Sequence, residues 1–153
     1  GEIKEGYADW DDKVIRIKEK WVLGDPSIII HEMIHQLQFS LCGGSAYMRS
    51  DFERNIEFEA YLIMDISMAE AWLKQGMIPD ASKLHFLYGV DDTVLVMDYI
   101  NFLCRVYERT ISKEEFVSEF NRFAEKFEAY LGAEYSPNGT LSLIFSLWPF
   151  VWY

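Results

Sequence analysis

Polar and apolar positions follow two different periods along the chain. Lys13-Val14-Ile15-Arg16-Ile17-Lys18 alternates as a strand does, and its charged flanks suit a sheet edge. Gly6-Tyr7-Ala8 would form the other arm of a hairpin. From Pro26 onward the period becomes helical, with Ile30, Met33, Ile34, Leu37 and Leu41 recurring on one side. Asp25 suits the N-cap of this helix, Pro26 its first position, and Gly43-Gly44 its stop. His31, His35 and Gln38 fall on a different face, which predicts that the histidines point into a cleft.

Three more helices follow. Ser50 and Glu53 form an S-x-x-E capping box, opening a helix that should stop near Gly76 with Pro79 beyond. Asp91 is the expected cap of a segment through Val94, Met97, Tyr99, Ile100, Leu103, Val106 and Tyr107. Ser112-Lys113-Glu114-Glu115 is another capping box, opening an amphipathic helix that should end at Gly132. Phe116, Phe120, Phe123 and Phe127 make one stripe of it, read as core rather than as a cofactor box. After the Pro137-Asn138-Gly139 turn, the tail from Thr140 to Tyr153 is strongly apolar and aromatic. Such a patch should dock on the body or cover an interface with a partner or a second copy. The expected class is α+β, predominantly α-helical, with a small N-terminal β-hairpin or edge strand beside the histidine-bearing helix.

With 153 residues, half of them hydrophobic, there is material for one core and little length for two, so residues 1–153 read as a single domain. A formal net charge of -11 argues against nucleic acid or an anionic membrane as partner. No run approaches the roughly 20 apolar residues of a membrane span, and no signal peptide is present. Gly1 in place of methionine leaves room for a removed leader, so localisation stays open with the cytoplasm as the leaning. Cys42 and Cys104 are too few for a disulfide framework and read as core thiols.

His31-Glu32-Met33-Ile34-His35 carries the chemistry. H-E-x-x-H in a helix stacks two imidazoles four residues apart, where both can bind one zinc ion. Glu32 sits one step round, placed to take a proton from a zinc-bound water whose pKa has fallen to about 7. A catalytic zinc needs a third protein ligand and an open position. Gln38 and Leu41 exclude the extended H-E-x-x-H-x-x-G-x-x-H pattern, and His85 lies fifty residues beyond His35, so a downstream carboxylate is the better candidate. Glu57 and Glu59 are both on offer, but two residues apart they face opposite sides of a helix. Glu59 goes with Ile56, Leu62, Ile63 and Ile66, and Glu57 with Tyr61, Met64 and Asp65.

This combination resembles the gluzincins, which pair H-E-x-x-H with a glutamate on a following helix. Glu57-Phe58-Glu59-Ala60-Tyr61 is similar to the E-x-x-A-D or E-x-x-A-N signature of the Ste24/HtpX-like and ImmA/IrrE-like peptidases. The resemblance covers about positions 14 to 68. It implies a compact zincin-like domain, zinc held by His31, His35 and Glu57, and a peptide or protein substrate hydrolysed with Glu32 as base. One position departs: the Asp or Asn four residues after the ligand is Tyr61 here. Tyr61 through its hydroxyl, or Asp65 from two turns along, is the candidate to orient a histidine in its place. His85, Tyr88 and Tyr47 are candidates for a donor to the oxyanion. The alternative is a catalytically inactive zincin-like or helical protein-interaction domain.

Overall fold

Helices dominate the computed structural model, which describes residues 6–9, 14–17, 26–42, 44, 53–127, 131–137 and 143–144. The chain divides into two compact units, Gly1–Ser50 and Asp51–Tyr153.

In the first unit β1 (Gly6–Asp9) and β2 (Val14–Ile17) pair antiparallel, Gly6 opposite Ile17 and Asp9 opposite Val14. Helix α1 (Ser27–Leu41) lies against both strands. Pro26 occupies the N-cap position, where its missing N–H removes one donor that would otherwise need a partner. At the other end the Cys42 N–H reaches the Gln38 carbonyl, and Gly44 adopts φ +62°. Asp25 and Gly43, the expected cap and stop, lie outside the described residues.

Burial on α1 runs opposite to its apolar pattern. His31, Glu32, His35 and Gln38 are buried, whereas Ile30, Met33, Leu37 and Leu41 are 41–57% exposed. Of the apolar set only Ile34 is buried.

The described residues of the second unit include three α-helices. α2 (Glu53–Leu73) buries Ile56, Phe58, Ala60, Leu62, Ile63 and Met64. It runs out into a turn closed by Gly76 at φ +73°, a left-handed conformation that glycine adopts without a Cβ clash. Two 3-10 turns, Ala81–Lys83 and His85–Leu87, lead to α3 (Thr93–Glu108). Its cap is Asp92, not the expected Asp91: the Asp92 carboxylate accepts from the Val94 and Leu95 N–H groups. α4 (Lys113–Glu125) opens as expected, with Ser112 Oγ accepting from the Glu115 N–H. It ends seven residues before Gly132, the stop expected from the sequence.

The phenylalanine stripe of α4 is core. Phe116, Phe120, Phe123 and Phe127 are almost fully buried and meet Phe58, Phe86, Tyr99 and Phe102 at ring separations of 4.4 to 6.5 Å within the cluster. Tilted and edge-on pairs of this kind add about 0.5–1.5 kcal/mol each beyond area burial. The chain after α4 is tied back to α2. Arg54 donates to the carbonyls of Glu125, Leu131 and Ala133, and Asn55 exchanges two hydrogen bonds with the Ser136 backbone. Of the apolar tail, Leu143 and Ile144 are described and buried; the rest lies outside the described residues.

The expected α+β class is corrected here: among the described residues there are four α-helices, and the architecture is helical. Among the described residues β1 and β2 pair with each other over four residues, whereas a sheet that stands as a layer needs three or more strands. The two-residue alternation that suggested a β component spans one short segment, and every longer apolar pattern has the helical period. Cys42 and Cys104 are half-buried, and no described helix is long and apolar enough to cross a membrane.

Candidate metal centre

The helical spacing of His31 and His35 has its expected consequence. Four residues apart on α1, the rings meet edge-on with centroids 4.5 Å apart and their Nε2 atoms 2.9 Å apart. Both are buried, at 8% and 5% exposure. On its other side His35 is held by Gln38, whose Oε1 lies 2.7 Å from His35 Nδ1. An amide oxygen accepts only, so Nδ1 is the donor and the neutral ring keeps a lone pair on Nε2. Glu32 is buried between the two histidines in sequence, at 8% exposure.

Glu57 lies in the first turns of α2 and is half-buried. His31 and His35 belong to the first unit, where their Nε2 atoms offer two ligand nitrogens to one ion, and Glu57 belongs to the second. Two nitrogens each about 2.0–2.1 Å from a tetrahedral ion stand about 3.3 Å apart. The observed 2.9 Å would open by roughly 0.4 Å to fit. Two imidazoles and a carboxylate are a suitable donor set for zinc, and the two imidazoles fit the ion on spacing. Glu59 is fully buried on the face of Ile56, Leu62 and Ile63.

The candidates for supporting roles separate clearly. Asp65, fully buried, holds His85 rather than a histidine of the group: Oδ1 accepts from the His85 backbone N–H at 2.8 Å and from Nδ1 at 2.9 Å. Its Oδ2 accepts from the Phe86 N–H at 3.1 Å and the Tyr99 hydroxyl at 2.7 Å. Burial, then the charge of Asp65 and this hydrogen bond, push the Tyr99 phenol well above its ordinary value and keep it a donor. Tyr61 packs its ring against His85 and Phe127 at centroid distances of 5.5 and 5.6 Å. Tyr88 is 83% exposed, and Tyr47 lies outside the described residues. A surface groove between α3 and α4 is lined by Asp98, Arg105, Glu119 and Arg122, and its Arg122 pairs with Asp98 and Glu119.

Two contributors were not read from the sequence. Gln38 entered as a residue on the histidines' face and as one that breaks a longer motif, not as a partner of His35, although a polar residue three positions after His35 is within reach of its ring. Asp65 was considered for a metal-binding histidine, and nothing local ties it to His85, twenty residues away.

Comparison of the chain with protein-family models, with curated proteins and with solved structures finds no match. The gluzincin resemblance therefore stands on its two motifs.

Proposed function

We propose that the chain is a zinc-dependent peptide hydrolase of gluzincin type, with His31, His35 and Glu57 as ligands and Glu32 as general base. The inverted burial of α1 carries this reading. A helix that exposes Ile30, Met33, Leu37 and Leu41 while burying two histidines, a glutamate and a glutamine runs against the hydrophobic effect. Each buried polar group costs about 1–3 kcal/mol unless it is satisfied. A polar face kept inside at that cost is what a functional site requires.

When bound, the ion supplies Lewis acidity, lowering the pKa of water to about 7 and polarising a carbonyl. Glu32 takes the proton of the attacking water on its carboxylate and delivers it to the leaving nitrogen. His31 and His35 would hold the ion through Nε2, with Gln38 orienting His35.

The test is hydrolysis of a mixed peptide library by zinc-loaded protein. Cleavage that stops on chelation and returns with zinc is expected. Cleavage that persists after the metal has been removed contradicts the proposal. One observation favours a second reading, an interaction module without catalysis: the exposed apolar stripe of α1 is a surface that a partner protein would cover. On that reading, zinc-loaded protein cleaves no peptide.

A further inference from the structure

We infer that Gln38 is a positioning residue that locks the tautomer of His35, and that His31 and His35 therefore hold different tautomers until an ion binds. The purpose of the lock rests on the metal-site reading; its chemistry does not.

Gln38 is fully buried, and its Oε1 stands 2.7 Å from His35 Nδ1. The i, i+3 spacing on α1 brings the two side chains together without a loop or a second element. Because the amide oxygen has no proton to give, Nδ1 carries the ring's proton and Nε2 carries the lone pair. That lone pair faces His31 Nε2 at 2.9 Å. A hydrogen bond there needs one donor, and His35 Nε2 is already committed as the acceptor, so His31 holds its proton on Nε2. The pair is asymmetric: His35 is Nδ1–H and ready to ligate, while His31 is Nε2–H. For His31 to ligate through Nε2, its proton must move to Nδ1 of the same ring. The count balances, with one proton relocated within His31 and none released.

The choice of an amide also has a physical reason. Ligating histidines are commonly oriented by a carboxylate, a backbone carbonyl or water. Here Glu32 is already buried on α1. A second carboxylate would add negative charge to a desolvated helix face, whereas glutamine accepts the same hydrogen bond at no charge.

Long-range ¹⁵N–¹H correlation of the histidine rings in metal-free protein tests this, in the wild type, Gln38→Met and Gln38→Glu. Methionine keeps the length of the side chain and removes the acceptor; glutamate keeps an acceptor. The expected spectra show His35 as Nδ1–H and His31 as Nε2–H in the wild type. His35 should shift toward Nε2–H in Gln38→Met and return to Nδ1–H in Gln38→Glu. Zinc affinity should fall about 10–100-fold in Gln38→Met and recover in Gln38→Glu. A wild-type His35 carrying its proton on Nε2, or a His35 signal unchanged in a folded Gln38→Met variant, overturns the inference. The expected tautomers in a wild type that takes up no zinc support the lock and count against the metal-site reading.

Discussion

Glu32→Gln is expected to slow peptide hydrolysis by about 10²–10⁴-fold, the range attributed to a positioned general base. Glutamine matches glutamate in shape, so the buried position on α1 remains filled. Its amide cannot accept the proton of an attacking water, and that is the single property the substitution removes. His31 and His35, one residue before and three after, keep their spacing. Zinc content should therefore stay at the wild-type level while the rate constant for turnover falls. Parallel measurement of kcat and of bound zinc checks both halves. An unchanged kcat means that Glu32 moves no proton. Loss of zinc together with activity would assign Glu32 to holding the metal instead.

The second large effect concerns stability. Asp65→Ala should destabilise the protein by about 2–5 kcal/mol, the cost of leaving its buried hydrogen-bond donors without an acceptor. Asp65 is fully buried and accepts four hydrogen bonds, from two backbone N–H groups, the His85 ring and the Tyr99 hydroxyl. Alanine leaves the Phe86 N–H and the buried Tyr99 hydroxyl without this acceptor, and each such loss costs about 1–3 kcal/mol. Asp65→Asn offers little relief. The amide replaces one accepting oxygen with an NH2, which must then face either the His85 donors or Tyr99 and Phe86. Tyr99→Phe removes donor and hydroxyl together and should be the mildest of the three. Urea unfolding at 25 °C orders the variants, and a loss below about 1 kcal/mol in Asp65→Ala would refute this account of the network.

Local signals in the sequence were read well where the physics is local. Ser112 and Glu115 meet as a capping box because both groups belong to one turn, and the Phe116 to Phe127 stripe is buried because its spacing leaves one face. The Asp92 cap was missed by one residue, since adjacent aspartates carry equal propensity and only backbone geometry separates them. The exposure of the apolar face of α1 was not legible for a deeper reason. Periodicity reveals which residues share a face, while the assumption that the apolar face turns inward comes from the hydrophobic effect alone. His31, Glu32, His35 and Gln38 reverse it. The strand signal at 14–17 had no way to declare that, among the described residues, its ladder would have two strands. Asp65 illustrates a third limit: its partners are 20, 21 and 34 residues away, and no spacing rule connects them.

Glu57 and Glu59 differ as helix geometry expects: Glu59 is buried with Ile56, Leu62 and Ile63 on α2, and Glu57 is half-buried. Elemental analysis of purified protein after mild zinc loading, beside His35→Ala and Glu57→Ala, tests the metal centre most directly. The account predicts about one zinc per wild-type chain, as a single His2Glu site requires, and a marked loss in both variants. A wild type that takes up no zinc, or two variants that bind it as well as the wild type does, would contradict it.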